Sequence, residues 1–113
     1  LNRRACTFGA RNAKSAWVDA TFACIVDEEA VHEAADKDVL VMDPPRTGAK
    51  GVCQTVARPG NGPQRVVYVS CDPATLARDI AILREGGYHL RRVAGFDMFP
   101  QTPHVETIAV LER

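Results

Sequence analysis

The chain has 113 residues, of which 46% are hydrophobic and 25% are charged, and its 14 basic and 14 acidic residues give a formal net charge of zero. This length predicts one globular domain or a piece of one, and the balanced charge supplies no general attraction for nucleic acid. No apolar run is long enough to span a bilayer and no signal peptide opens the chain, so a cytoplasmic location is the default expectation.

Weak signals mark the first third of the chain. Residues 1–16 predict a polar helix, the alternating apolar side chains of residues 21–26 predict a short strand, and the acidic run at 27–35 tolerates a helix. Basic pairs at 3–4 and 91–92 either contact phosphate or simply lie in solvent, so neither identifies a nucleic-acid surface by itself.

The next segments predict two strands and the chain between them. Residues 39–42 and 66–69 are short apolar runs, rich in β-branched residues and bounded by polar or proline residues, which is typical of strands covered on both faces. Residues 50–58 can form a short helix that ends near 59–63, a loop rich in proline and glycine.

A helix over 73–85 is predicted by Asp72 as its N-cap, Pro73 as its first residue and a glycine pair at its end. Strands follow at 88–95 and 105–111. Their connection is shorter than the dozen or so residues that a crossover takes, so these strands should be antiparallel neighbours. The order of elements is that of an α/β fold.

Three polar side chains should meet at one edge of this sheet. Asp43 and Cys71 each come directly after a predicted strand, and the carboxyl ends of parallel strands border the ligand crevice in open α/β sheets. An antiparallel last strand begins at that same edge, which adds Glu106. The topology therefore predicts that Asp43, Cys71 and Glu106 converge.

The four cysteines, Cys6, Cys24, Cys53 and Cys71, form no Cys-x-x-Cys pair and have no closely spaced histidine. This spacing argues against a metal site, and a reducing compartment predicts free thiols. A free cysteine is most often a small buried hydrophobe, which suits Cys6, Cys24 and Cys53. Cys71 lies just before a helix N-terminus, a position that favours the thiolate, so we interpret it as a candidate nucleophile.

The other candidates keep two interpretations each. Asp43 is either a turn residue or a fixed acceptor for a ligand's amino or hydroxyl groups. Arg46 is either a solvated loop charge or a clamp on a phosphate or carboxylate. Glu106 interrupts an apolar strand and faces either solvent or the crevice, where it can abstract a proton. His104 is a similar candidate, although a turn or surface position suits it as well.

Three ordered motifs then decide between these interpretations. The sequences DPPRTG at 43–48, YVSCDPATLARD at 68–79 and FDMFPQTPHVE at 96–106 closely resemble the S-adenosylmethionine-dependent RNA 5-methyluridine methyltransferases. The resemblance covers residues 39–113, and residues 1–38 are a poorly matched lead-in.

The resemblance implies a mechanism with a covalent intermediate. Cys71 would add to C6 of a uracil ring, and C5 would then take the methyl group from S-adenosylmethionine. Glu106 would remove the C5 proton so that the cysteine can be eliminated.

The resemblance also implies binding roles and partners. Asp43 and Asp27 would contact S-adenosylmethionine, while Arg46, Gln101 and His104 would orient the nucleotide. The substrate would be a uridine of ribosomal or transfer RNA that leaves any base stack to reach the thiol.

The implied fold is the C-terminal portion of a Rossmann-like class I methyltransferase domain, with a mostly parallel sheet and an antiparallel last strand. That family's domain begins with a strand and a glycine-rich turn, and this chain contains no Gly-x-Gly-x-x-Gly. We therefore expect a C-terminal piece of a longer enzyme, in which the segment at 21–26 lacks its neighbouring strands. An alternative from another class is an inactive structural fragment that dimerises through unpaired strand edges.

Two further alternatives are disfavoured. Amino-methyltransferases carry a similar Asp-Pro-Pro motif followed by an aromatic residue, but position 46 is Arg and their chemistry needs no cysteine. A thiol-relay domain that uses Cys71 would need a resolving cysteine, and none lies nearby in the sequence.

Overall fold

The computed structural model describes residues 2–25 and 27–113. Its elements are α1 Arg3–Ser15, α2 Asp27–Ala34, β1 Val39–Met42, α3 Lys50–Val56, β2 Arg65–Ser70, α4 Pro73–Glu85, β3 His89–Phe96 and β4 Glu106–Glu112. Every predicted helix and strand forms within a few residues of its expected bounds, except the strand at 21–26. None of the helices in the described ranges is long and apolar enough to cross a membrane.

The four strands form one sheet in the order β1-β2-β4-β3. β1 and β2 are parallel, and β4 is antiparallel to both of its neighbours, β2 and β3. The prediction of an antiparallel β3–β4 pair is therefore confirmed. β4 runs opposite to β1, β2 and β3, as expected of the last strand. Because β4 lies between β2 and β3, the only parallel pair of neighbouring strands among the described residues is β1–β2.

Helices α2, α3 and α4 cover a single face of the sheet. The covered face carries the apolar residues of alternate strand positions, among them Leu40, Val66 and Leu111, which lie side by side in the register. On the other face Val41 of β1 is 65% exposed. The expectation that β1 is covered on both faces is therefore wrong. β1 is an edge strand, and no helix in the described ranges covers the face that carries Val41.

The start of α4 agrees with its sequence signals. The Asp72 carboxylate accepts a hydrogen bond from the backbone N–H of Thr75 at 2.9 Å, and Pro73 is the first helical residue. This hydrogen bond holds the pKa of Asp72 below its usual range. The helix ends at a Gly86 cap, so its predicted bounds are confirmed.

The segment before α2 is not a strand. Residues 21–25 are irregular, and Val26 lies outside the described residues. The Cys6 thiol donates to the carbonyl of Ala23 at 3.5 Å, and the ring of Phe22 packs on Gly9. A strand needs a paired neighbour for its backbone groups, and this segment packs on α1 instead.

Candidate active site

The carboxyl ends of β1 and β2 and the beginning of β4 lie at one edge of the sheet. Asp43 follows the last residue of β1, Cys71 follows the last residue of β2, and Glu106 is the first residue of β4. Thr107 pairs with Ser70 across the β2–β4 ladder. This register places Glu106 beside Cys71, as the topology predicted.

A cleft of about 470 Å³ occupies this edge, and we call it the Cys71 cleft. Such a volume lies within the roughly 300–1,000 Å³ that ligand sites occupy. Cys71 and Glu106 are partly buried in it, whereas Asp43 is exposed. The cleft is lined by Asp43, Val69, Cys71, Phe96, Met98, Phe99, Glu106 and Ile108. It thus combines an apolar wall with one thiol and two carboxylates, which suits a flat, partly apolar ring.

A second cleft of about 290 Å³ follows the outer edge of β1, and we call it the edge cleft. It is lined by Ala30, Val31, Leu40, Val41, Met42, Asp43, Pro44, Pro45, Ala49 and Val52. Asp43 lines both clefts. A group in the edge cleft would therefore share Asp43 with a group in the Cys71 cleft.

Arg46 and His104 contact each other outside the lining of these two clefts. Arg46 Nη2 lies 3.2 Å from His104 Nε2, so the guanidinium donates and the imidazole nitrogen accepts. The ring proton of a neutral His104 is then on Nδ1. This contact joins the loop after β1 to the segment that precedes Glu106.

The two remaining candidate residues are Gln101 and Asp27. Gln101 is exposed in a turn, with a backbone φ of 65°, and does not line the Cys71 cleft. Asp27 is the first residue of α2, and its side chain lies outside the described part of the chain.

The structure also shows a buried polar network that the sequence predictions missed. The Asp79 carboxylate is fully buried and accepts hydrogen bonds from the Tyr68 hydroxyl at 2.6 Å and from the Ala49 backbone N–H at 2.7 Å. Burial, together with this hydrogen bond to the carboxylate, raises the pKa of Tyr68. Asp79 lies on the same side of α4 as the buried residues Leu76 and Leu83. An aspartate within an apolar helical stripe was the signal that could have identified it.

The cysteines differ in their surroundings, and all four are free thiols, as predicted. Cys53 is fully buried, and burial raises its pKa to about 12, with a smaller contribution from the charge of Asp79. The prediction of a buried cysteine is therefore confirmed at position 53. Cys6 of α1 and Cys24 are only half-buried, so the prediction of burial is wrong for both of them. Within residues 2–25 and 27–113, no group of three or more His, Cys, Asp or Glu side chains could hold a metal ion.

Comparison with known proteins identifies the family. The profile of the tRNA (uracil-5-)-methyltransferase family matches residues 28–113. The chain belongs to this family. It is 55% identical to the 23S rRNA (uracil(1939)-C(5))-methyltransferase RlmD of Bordetella bronchiseptica over 78 residues. These residues are 66% of this chain and 17% of that relative.

Two other relatives are also similar to this chain. An uncharacterized RNA methyltransferase of Geobacter sulfurreducens is 56% identical over 87 residues, or 76% of this chain and 17% of the relative. One of Enterococcus faecalis is 45% identical over 100 residues, or 84% of this chain and 21% of the relative. The chain thus spans only about a fifth or less of the length of these family members.

Proposed function

We propose that this chain forms the catalytic edge of an RNA uracil-C5 methyltransferase and that the Cys71 cleft receives the target uracil. One observation carries the proposal: a thiol and a carboxylate from sequence positions 71 and 106 line one cleft with an apolar wall. That pair supplies a nucleophile and a base on one substrate. Membership of the tRNA (uracil-5-)-methyltransferase family supports the same reaction, and so does the name of the Bordetella bronchiseptica relative, a 23S rRNA (uracil(1939)-C(5))-methyltransferase.

The proposed chemistry uses the two side chains in sequence. The Cys71 thiolate forms a bond from sulfur to C6 of the uracil, and the electron pair of the C5–C6 double bond makes C5 nucleophilic. After C5 has gained a methyl group, Glu106 accepts the proton that C5 still carries. The sulfur–C6 bond then breaks, the double bond re-forms, and the thiolate is regenerated.

The family implies S-adenosylmethionine as the cofactor, and the edge cleft fits part of it. When bound, this cofactor supplies the methyl group as an electrophile. The apolar lining of the edge cleft suits a ring, and Asp43 offers a carboxylate to an ammonium or hydroxyl group. Asp43 and Asp27 are the residues that we propose to contact it, in a Rossmann-like domain completed by further polypeptide.

Arg46, His104 and Gln101 are proposed to orient the RNA nucleotide. The Arg46–His104 contact offers a cation and an imidazole on the loop after Asp43. A guanidinium binds phosphate oxygens such as those that flank the target uridine. We propose ribosomal or transfer RNA as the substrate, a choice supported by the names of the family and of the Bordetella bronchiseptica relative.

The test is trapping of the covalent intermediate. A polypeptide that extends this chain to the length of its relatives is mixed with S-adenosylmethionine and RNA in which 5-fluorouridine replaces uridine, because fluorine at C5 cannot be removed as a proton. We expect a protein–RNA adduct by mass spectrometry, located at Cys71 and absent from Cys71→Ala. With unmodified RNA, Glu106→Gln should accumulate a methylated Cys71 adduct in which C5 still carries its hydrogen. An adduct that persists in Cys71→Ala would overturn the proposal.

A second candidate function is an inactive piece that pairs with another copy through β1. The exposed edge strand, with Val41 at 65% exposure, favours it. Titration calorimetry of the 113-residue chain with S-adenosylhomocysteine, combined with sedimentation, separates the two functions. If the chain dimerises without binding S-adenosylhomocysteine, and Val41→Lys abolishes the dimer, the inactive piece is favoured. Binding of S-adenosylhomocysteine by the monomer would exclude it.

A further inference from the structure

The loop after β1 is anchored on α4 through its backbone. The Thr75 hydroxyl donates to the carbonyl of Arg46 at 3.1 Å, and Arg78 Nη2 donates to the carbonyl of Thr47 at 3.0 Å. Two successive peptide groups are thereby tied to one helix. The position from which the Arg46 side chain departs is consequently set by α4.

Arg78 is itself held by the buried network. Its Nε and Nη2 lie 2.9 Å and 2.8 Å from Asp79 Oδ1, and its side chain is 41% exposed while that of Asp79 is fully buried. Asp79 cannot turn away, because its other oxygen accepts from Tyr68 and Ala49. The guanidinium therefore bridges a fixed carboxylate and the loop.

Gly48 shows how closely the loop approaches this pair. A Cβ atom at this position would lie 2.5 Å from both Arg78 Nη2 and Asp79 Oδ2, and the backbone has a φ of 74°. Only glycine combines this conformation with that approach at no steric cost. The loop, Arg78 and Asp79 thus form one packed unit.

The outward side of the same loop carries the Arg46 guanidinium to His104, 3.2 Å away. His104 lies two residues before Glu106. A chain of direct contacts therefore runs from the buried Asp79 through Arg78 and the Thr47 carbonyl to the Arg46–His104 pair.

We propose that Arg78 is a positioning residue: held by Asp79, it fixes the loop so that the Arg46 guanidinium stays beside His104 in the orientation that the RNA nucleotide meets. This inference rests on the proposed function, because it assigns Arg46 to the nucleotide. Arg78 itself acts through Arg46 and is proposed to contact no substrate.

The first test needs no activity and uses the 113-residue chain. Nuclear magnetic resonance of the His104 imidazole reports whether Nε2 accepts a hydrogen bond, and amide exchange of Gly48 reports whether its 2.8 Å bond to the Pro45 carbonyl persists. Arg78→Ala should shift the Nε2 signal and speed the Gly48 exchange about tenfold, as loss of one hydrogen bond from a charged donor does.

Arg84→Ala removes an exposed arginine from the same helix and is the matched control, which should leave both signals unchanged. Arg78→Lys keeps a cation beside Asp79 and should give an intermediate shift, which guards against a loss of folding in the alanine variant. Unchanged His104 and Gly48 signals in a folded Arg78→Ala chain would overturn the proposal.

The second test is a double-mutant cycle in the longer polypeptide, with methyl transfer to RNA as the readout. Arg78→Ala and Arg46→Ala should each raise KM for RNA about tenfold with little change in kcat, and the double variant should cost no more than one of them. If the double variant instead raises KM by the product of the two single effects, the proposed coupling of Arg78 to Arg46 is overturned. A wild-type polypeptide without methyl transfer would overturn the proposed function alone, and the His104 signal would still decide the role of Arg78.

Discussion

The Tyr68 hydroxyl donates a 2.6 Å hydrogen bond to the buried carboxylate of Asp79. Tyr68 lies on β2 three residues before Cys71, and Asp79 lies on α4, the helix that follows Cys71. The bond therefore ties the strand that ends at the thiol to the helix that begins after it. Cys71 therefore lies in a stretch of chain whose two ends are joined by a buried hydrogen bond.

Removing that hydroxyl should destabilise the fold. Tyr68→Phe leaves a buried carboxylate oxygen with one donor fewer, and such a loss costs about 1–3 kcal/mol of the free energy of unfolding. Urea denaturation followed by circular dichroism measures it. A change below about 0.5 kcal/mol, the size expected for an ordinary surface substitution, would contradict a stabilising role for this hydrogen bond.

Gly48→Ala should destabilise the fold more than Gly87→Ala does. It adds the left-handed backbone cost of about 1–2 kcal/mol to a contact of 2.5 Å with Arg78 and Asp79. Gly87→Ala shares the positive φ, at 89°, but meets no atom within 4 Å, so it isolates the backbone cost.

Gly51→Ala is the helical control for this series, because Gly51 lies in α3 with open space around it. It should stabilise the fold by up to about 1 kcal/mol. Thermal unfolding of the three variants gives the order, and equal costs for Gly48→Ala and Gly87→Ala would argue against the close approach.

Alkylation should distinguish the cysteines. Cys53 is fully buried and its pKa is raised to about 12, whereas Cys71 is partly exposed in its cleft. Iodoacetamide near neutral pH should label Cys71 while leaving Cys53 unmodified in the folded chain. Peptide mass spectrometry at increasing times measures the rates. Labelling of Cys53 as fast as in urea-unfolded protein would contradict its burial.

The buried Cys53 thiol predicts that the fold loses stability at alkaline pH. The pKa of Cys53 rises from 9.0 to about 12 on folding, so above pH 9 the unfolded chain releases a proton that the folded chain keeps. Stability is therefore fully present below pH 9 and falls as the pH rises towards 12, by at most about 1.4 kcal/mol per pH unit from this group.

Cys53→Ala removes this titration, while burial still raises the pKa of Tyr68, so the difference between the two proteins reports mainly on the thiol. The variant should be less stable than the wild type at pH 7, because it leaves a cavity, and its stability should fall less steeply above pH 9. Parallel pH profiles would contradict the prediction.

Asp72 predicts the opposite behaviour in acid. Its pKa is lowered from 3.8, mainly by the hydrogen bond from the Thr75 backbone N–H, so its contribution to stability is present above pH 3.8. That contribution is lost as the pH falls through the lowered value. Asp72→Asn keeps an N-cap acceptor and should flatten the acid limb, whereas Asp72→Ala should lower the melting temperature at neutral pH. Identical acid limbs in the wild type and Asp72→Asn would count against this role.

Local sequence signals were sufficient where the chain interacts with itself over short distances. The bounds of α4 follow from Asp72, Pro73 and the glycines at its end, because capping satisfies backbone groups of the same helix. Segment 21–26 shows the limit of such signals. Its alternating pattern suits a strand, but a strand forms only where a neighbour supplies hydrogen-bond partners.

The sequence by itself determined the elements from β1 to β4, the family, and the edge at which Asp43, Cys71 and Glu106 meet, because strand direction follows from the lengths of the connections. Only the tertiary structure decided that Asp79 and Arg78 anchor the loop after β1. A buried carboxylate is stable only beside donors from other elements, and which donors reach it depends on how strands and helices pack. The same packing left one face of β1 open, which its apolar residues alone do not reveal.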